Sequence, residues 1–585
     1  MVAPPGSLVA GRAAGRPSRF WLLLSLLVVA GCAGYAALVL HTATGAQVRA
    51  LRTTYPYAWQ GRGYTLAEFI ALRRGLAGLA LGAALGAGWL AAGRAGRREL
   101  AALGREGRGA LGSLCAGWWA LRPAQRRLAG AVLLGLTALR AYYSVVVQPY
   151  DDATSYELFV REPLLTVSAV YALPNNHVLS NTLSWLFYQV SPGFWWTMRL
   201  PVLLTSTAAT ALWFLGLLRR TNFRVALGAV GWAGLLSQNT YYAATGRGYW
   251  LLAGLGAVVF LALLSLGPSQ AARGRAAWLG LVAAGVLGLY TVPTHALLLV
   301  SAYSWLAARA IGQRDGRALG QLGAAAGLTG LGAGLLYAPL LLLSGAGALL
   351  HNPYVEPLTG AAFWRALLAA ALERHHLLAL LVVGGVLGSF GRLVYAARAG
   401  RLPAPLARLV GQLGGVSIWF FLLPYGLAVP ALVLLPERTL LYKAQYLFIL
   451  VALLVEAAWV RATTLGARQW LRRGLAGGTL LLALSQCWQL EQRENLWRQS
   501  WRWQLGAPLI DWLATQPPGV VLAEHQPELL RFYAHTRQRK RTWQIERTRR
   551  PGVHYRYVVL PPGAPGPLGG KRAFYNALAV VFVVR

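Results

Sequence analysis

The stretch Pro149-Tyr150-Asp151-Asp152-Ala153-Thr154-Ser155-Tyr156-Glu157-Leu158-Phe159 decides how this chain is read. It continues through Leu173-Pro174-Asn175-Asn176-His177-Val178-Leu179-Ser180-Asn181 and closes at Met198-Arg199-Leu200-Pro201. Asp151 and Asp152 follow directly on an apolar run, residues 128–147, that is long enough to cross a bilayer. The chain has 18 acidic residues against 55 basic ones, so a paired acid at a membrane boundary is a rare event in it. An acid in hydrocarbon costs about 2.5–3.5 kcal/mol on insertion scales, a cost that largely vanishes at the interface. A solvated helix end would account for either carboxylate alone. The surrounding residues ask for more.

Working outward, the 585 residues are 56% hydrophobic and only 12% charged, with a mean hydropathy of +0.47. A soluble chain carries about a quarter charged residues. Repeated apolar runs of about 18–22 residues define an all-α polytopic membrane protein with about 13 spans. The first run, Trp21–Leu40, follows Arg12, Arg16 and Arg19 and reads as a retained signal anchor. Val29-Ala30-Gly31-Cys32 resembles a lipoprotein cleavage box, but the apolar run continues for eight residues past Cys32. Cys32 therefore reads as a small core residue. Cys115 and Cys487 show no metal-ligand spacing. The net charge of +37 does not indicate nucleic acid, because much of it falls in short loops between apolar runs, where it sets orientation.

Arginine-rich segments fix the topology. The N-terminal arm and Arg94–Arg127 belong on the cytoplasmic side, as do Leu218–Arg220, Ala272–Arg275, Ala308–Arg317, Ala397–Arg408 and Arg461–Arg473. Loops poor in basic residues alternate with them, above all Gln148–Trp196, and belong outside. Three regions follow: an N-terminal two-span region with its basic loop (1–127), a transmembrane core (128–490) whose outer loop is 148–197, and a small basic tail (491–585). The tail has short β-rich runs at 520–522, 557–560 and 579–584 and a helical pattern over Pro527–Thr536, which predicts an α/β domain on the outer side. Its basic surface would attract anionic lipid or a lipid-linked glycan; a solvated charged face is the simpler account.

Within the outer loop, Tyr156–Tyr171 is expected to form one interfacial helix. A second starts at Pro174-Asn175-Asn176-His177 with an asparagine cap. The second carries Leu179, Leu183, Leu186, Phe187 and Val190 on one face, and His177, Ser180, Asn181, Ser184 and Tyr188 on the other. It is too polar to span and suits the interface plane. Arg140 lies 11 residues before Asp151, about 16 Å along a continuous helix. On that geometry the two share a face lining a cavity.

These residues resemble the GT-C glycosyltransferases, and among them family 39: the protein O-mannosyltransferases, the lipid A aminoarabinose transferases and their bacterial relatives. The resemblance rests on a membrane helix ending in an acid pair, the interfacial helices, the Pro-Asn-Asn-His start and Arg199-Leu200-Pro201. Further matches are Arg247-Gly248-Tyr249, Leu289–Pro293 and, more loosely, Pro436-Glu437-Arg438 with Tyr442. Relatives carry Asp-Glu, so Asp152 stands where they have Glu. Ordered matches cover about residues 128–460, and the two preceding spans look like an addition.

The resemblance implies a polyprenyl-phosphate sugar donor, an inverting transfer to an acceptor hydroxyl on a glycan, lipid or protein, and a site on the extracytoplasmic side of a bacterial cytoplasmic membrane. Asp151 matches the catalytic base and Asp152 is its catalytic neighbour. His177, Asn176, Tyr249 and Arg140 are candidate substrate-binding residues. Arg247, Arg438 and Lys443 are candidates for the donor phosphate, each near an outer helix end. Two acids at an interface could hold a divalent ion, but relatives do not generally need one, so no cofactor is expected. Membrane lipids are the surroundings. A flippase for lipid-linked glycans would need the arginines but not the acid pair. A non-catalytic scaffold would leave Asp151, His177 and Arg247 apart.

Overall fold

The computed structural model describes residues 19–54, 64–147, 151–171, 174, 176–266, 274–350, 357–372, 374–498, 501–537 and 544–584. Arg12, Arg16, Pro149, Tyr150, Leu173, Asn175, Ala272, His351 and the run Arg539–Arg541 lie outside these residues.

Long apolar runs fold as helices because hydrocarbon offers no partner for backbone N–H and C=O groups. Among the described residues, eight helices are long and apolar enough to cross a membrane, or nine if one bent pair counts as a span. The sequence reading expected about 13, and several extra runs fall short of the ~20 residues that spanning requires. Phe223–Leu235 and Arg275–Thr291 are apolar but only 13 and 17 residues long.

The N-terminal helix α1 (Phe20–His41) packs on α2 (Leu66–Ala92). The basic segment expected as a loop is instead the helix α3 (Arg94–Trp119). Its Glu99 and Glu106 accept from Arg275 at 2.6 and 3.2 Å. Next, α4 (Pro123–Val146) leads to the loop expected outside, 148–197.

The loop departs from expectation in one place. Tyr156–Tyr171 is not a single helix. After α5 (Asp151–Ser155) it comprises a π-helical turn (Tyr156–Val160) and α6 (Leu164–Ala169), broken at residues 161–163 where Pro163 cannot donate to the preceding turn. The following α7 (Val178–Val190) has His177 at its N-cap. Its polar face is buried (Ser180, Asn181, Ser184), whereas Leu186 and Val190 are exposed. A soluble protein would reverse that arrangement; an interfacial helix requires it. A second π-helical turn, Trp195–Arg199, runs into α8 (Leu200–Arg220).

After α9 (Phe223–Leu235), the chain forms α10 (Ser237–Ala244) and α11 (Tyr249–Ser265), which meet at 114° across residues 245–248. The remaining core includes α12 (Arg275–Thr291), α13 (Gly316–Leu343), α14 (Gly415–Ala428) and α15 (Lys443–Arg461). Both α12 and α13 pack against α1. On α15, buried Glu456 accepts from Arg224 at 2.6 Å and from Asn222 at 3.0 Å.

Helix α16 (Leu465–Arg498) carries the chain to the tail domain. There α17 (Pro527–Arg537) joins β1 (Val520–Ala523) to the parallel β2 (Gln544–Glu546). β3 (Tyr557–Leu560), β4 (Gly570–Tyr575) and β5 (Val580–Val584) complete a sheet of order β2-β1-β3-β5-β4. The three strands and the helix expected from sequence are all present; β2 and β4 are additional. The domain packs directly on the outer loop, so the two lie on the same side of the bundle. Leu530, Phe532 and Val559 share one apolar cluster with Ala153, Tyr156, Val160 and Met198.

Candidate active site

Two breaks in helical structure bring the site together. One follows α4 and presents Asp151 and Asp152 at the start of α5. The other, between α10 and α11, presents Gly246-Arg247-Gly248. Close approach explains both glycines. A Cβ at Gly246 would lie 2.7 Å from Met198 Cβ and 3.1 Å from Asp152 Cβ; one at Gly248 would lie 2.9 Å from Ser180 Cβ and 3.1 Å from His177 Cβ.

The adjacent carboxylates diverge. Asp152 is 1% exposed. Its Oδ2 accepts from Arg199 Nε at 3.0 Å and from the Gly246 amide at 3.3 Å. Arg199 also donates through Nη1 to the carbonyls of Ser144 and Val147, at 2.7 and 2.8 Å. These are C-terminal carbonyls of α4 that lack a helical partner. Asp152 and Arg199 thus staple the end of α4 to the start of the next span and to the Arg247 loop.

Asp151 is different. Its side chain is 41% exposed, and Oδ2 lies 3.9 Å from a guanidinium nitrogen of both Arg247 and Arg438. Arg247 is buried, with Nη1 3.4 Å from the Ser155 hydroxyl and Nη2 3.2 Å from His177 Nε2. Asp151, His177, Arg247 and Arg438 therefore converge.

His177 is fixed from both sides. The Gly248 amide donates to its Nδ1 at 2.9 Å, and Tyr249 meets the ring edge to face with centroids 4.7 Å apart. Burial, followed by the charges of Arg247 and Arg438, pushes the imidazole well below its ordinary value. A neutral ring whose Nδ1 accepts must carry its proton on Nε2. Two N–H groups, from His177 and Arg247, then face the same space. That pattern suits one anionic oxygen shared between them.

Three other candidates sit elsewhere. Asn176 is consumed within the protein: its amide donates to the carbonyls of Val167 and Val170 at 2.9 and 2.8 Å, and its oxygen accepts from Asn181 at 2.9 Å. It ties α6 to α7 and is not the expected helix cap. Lys443 contacts Tyr425, through the hydroxyl and with the ring centroid at 3.7 Å, and Phe421 at 6.0 Å, not the Asp151 cluster. Arg140 is fully buried, donating to Ser206 O at 3.1 Å and Thr210 Oγ1 at 2.8 Å with its guanidinium 4.3 Å from the Trp250 ring. The shared face expected for Arg140 and Asp151 required one continuous helix, and α4 ends at Val146.

The sequence reading met Arg199 only as the start of Arg199-Leu200-Pro201 and missed Ser155 as a partner of Arg247. A lone arginine entering a span beside a proline was the available signal for Arg199. Ser155 gave none.

The architecture is GT-C-like: a multi-pass helical bundle with an acid-bearing loop, interfacial helices and a small C-terminal sheet at the same end. Among solved structures, ArnT from Cupriavidus metallidurans bound to undecaprenyl phosphate matches with a TM-score of 0.50 at 17% identity, over 79% of this chain and 98% of that one. The apo form of the same protein gives a TM-score of 0.49 at 16% identity, over 78% and 98%. No family model matches the chain, and no curated protein matches it in sequence.

Proposed function

We propose that this protein is an integral-membrane glycosyltransferase. It would move a sugar from a polyprenyl phosphate, of the kind bound to the similar ArnT, to an acceptor hydroxyl outside the cytoplasmic membrane. The observation that carries this reading is the placement of Asp151 Oδ2 3.9 Å from both Arg247 and Arg438. A half-exposed carboxylate beside a buried cation supplies the two opposed functions the reaction needs, a base and an anion cradle.

In the proposed mechanism, Asp151 takes the proton from the acceptor hydroxyl as its oxygen attacks the anomeric carbon. The bond from that carbon to the phosphate oxygen breaks on the opposite face, and configuration inverts. Negative charge grows on the departing phosphate, where Arg247, Arg438 and the Nε2–H of His177 stabilise it. Asp152 acts as a positioning residue through Arg199 and the Gly246 amide. All of these steps use protein groups and no metal.

The test is a membrane assay with a panel of polyprenyl-phosphate sugars, following release of polyprenyl phosphate in wild type and Asp151→Asn. Transfer by the wild type and its loss in a folded, donor-binding variant are expected. Undiminished transfer by Asp151→Asn would overturn the base assignment. A flippase would instead move the lipid-linked sugar across vesicles without cleaving it.

A further inference from the structure

Helix α3 joins two spans at one face of the bilayer. Only Gly93 separates it from the end of α2, and residues 120–122 separate it from the start of α4. Both neighbours are long and apolar enough to cross a membrane, so both ends of α3 are held at the same surface. That surface lies the length of α4 away from Asp151. The turn into α3 is tight, because a Cβ at Gly96 would collide with the Leu90 carbonyl. With seven charged residues α3 cannot itself cross, and its 26 residues, about 39 Å, run along the surface.

The charges are sorted around the helix. At about 100° per residue, Arg94, Arg97, Arg98, Arg105 and Arg108 fall in one sector about 100° wide, and all five are exposed. The two acids of α3 point about 140° away from that sector. Glu99 and Glu106 are held there by Arg275 of α12, at 2.6 and 3.2 Å, and Glu106 also accepts from the Ala276 amide at 3.0 Å. Near the end of α3, Trp118 meets Phe214 of α8 with ring centroids 6.3 Å apart. The acids thus face the bundle and the arginines face away from it. Beside and beyond the arginines, Leu100, Leu111 and Trp119 are exposed.

A face of this kind calls for an anion. Arg94 with Arg98, Arg94 with Arg97, and Arg105 with Arg108 are like-charge pairs at helical spacing, which destabilise a bare helix. Each guanidinium offers a planar fork that matches two phosphate oxygens. The polyanion that a helix pinned along a bilayer meets is the leaflet beneath it. The exposed leucines suit the acyl layer just below the headgroups.

We propose that α3 is a docking surface for anionic phospholipid headgroups of the leaflet at the end opposite Asp151. Headgroup phosphates bridge the arginine stripe, relieve its repulsion and hold the N-terminal helices to the bilayer beside the core. The proposal stands whether or not the Asp151 site transfers sugar.

Cys115 provides a native reporter, since it is exposed and stands about two turns beyond Arg108 on the same face. Full-length protein carrying Cys32→Ser and Cys487→Ser would be labelled at Cys115 with a fluorophore and reconstituted in phosphatidylcholine vesicles. Quenching is then compared between spin-labelled phosphatidylglycerol and spin-labelled phosphatidylcholine at equal mole fraction. A preference for phosphatidylglycerol of about threefold or more is expected at about 20 mM salt, falling toward parity at about 500 mM. Arg94→Gln, Arg97→Gln, Arg98→Gln, Arg105→Gln and Arg108→Gln together should bring the ratio to about one. Arg314→Gln with Arg317→Gln, exposed elsewhere in the chain, should leave it unchanged. Equal quenching by the two lipids with the arginines intact, a preference that ignores salt, or an equal loss in the Arg314–Arg317 control would overturn the proposal. The salt series needs no arginine variant, so it decides the matter even where the multiple variant does not fold.

Discussion

Asp152 and Arg199 form an ion pair of 3.0 Å, with side chains 1% and 3% exposed. Removing one partner of such a pair strands the other, at a cost of about 3–5 kcal/mol. Asp152→Asn and Arg199→Met should therefore lower thermal stability and folded yield, as read by size-exclusion chromatography after heating. The double variant should recover part of the loss. A stable Asp152→Asn protein that loses transfer as fully as Asp151→Asn would instead give Asp152 a direct role in chemistry.

Asp151 should behave in the opposite way. With 41% of its side chain exposed, Asp151→Asn should leave thermal stability near wild type. Turnover should fall by about 10²–10⁴, the range for a positioned general base. Binding of polyprenyl phosphate, measured by microscale thermophoresis, should persist.

The cations separate as well. Arg247→Lys and Arg438→Lys lose the planar fork that suits a phosphate. Charge-assisted hydrogen bonds of about 1.5–3 kcal/mol translate to about 10–100-fold in kcat/KM. Lys443→Met, facing Tyr425 and Phe421, should change kcat/KM by less than about threefold. A larger effect of Lys443→Met than of Arg438→Lys would mean that the phosphate sits nearer α15.

His177 makes stability depend on pH with a definite sign. Its imidazole is held well below the ordinary value in the fold. The unfolded chain takes up a proton below about 6.5, and the folded site does not. The contribution is fully present above that pH and is lost as pH falls toward the depressed value, by up to about 1.4 kcal/mol per pH unit. Melting temperatures from pH 7.5 to 5.5 should fall more steeply for wild type than for His177→Asn, whose side-chain oxygen can still accept from Gly248. Parallel curves would refute this.

Sequence legibility followed the range of each interaction. Helices within apolar runs, α7 with its two faces, and the strands at 520–523, 557–560 and 580–584 were legible because their signals are local. Asp151, His177, Arg247 and Arg438 were each recognisable from motif context. What the sequence did not reveal is where neighbouring side chains turn. Asp151 and Asp152 are adjacent, yet one meets Arg438 and the other a residue 47 positions away. Asn176 looked like a cap but spends its amide on the preceding helix. Arg140 was projected along a helix that stops at Val146. The count of about 13 spans stands against eight or nine among the described residues, because hydropathy records composition whereas helix length and the 114° bend after α10 are set by packing.

The apolar cluster joining the last sheet to the outer loop also constrains biogenesis. Phe532 meets Phe194 and Tyr156 with ring centroids 4.8 and 6.3 Å apart. Membrane helices insert as the ribosome proceeds, and domains fold as units once synthesised. The loop bearing Asp151 is therefore synthesised early but gains its full packing only once the sheet domain has folded against it. A chain lacking that domain would carry Asp151, His177, Arg247 and Arg438 and still lack this packing. Folding of the sheet domain becomes the condition for a finished loop.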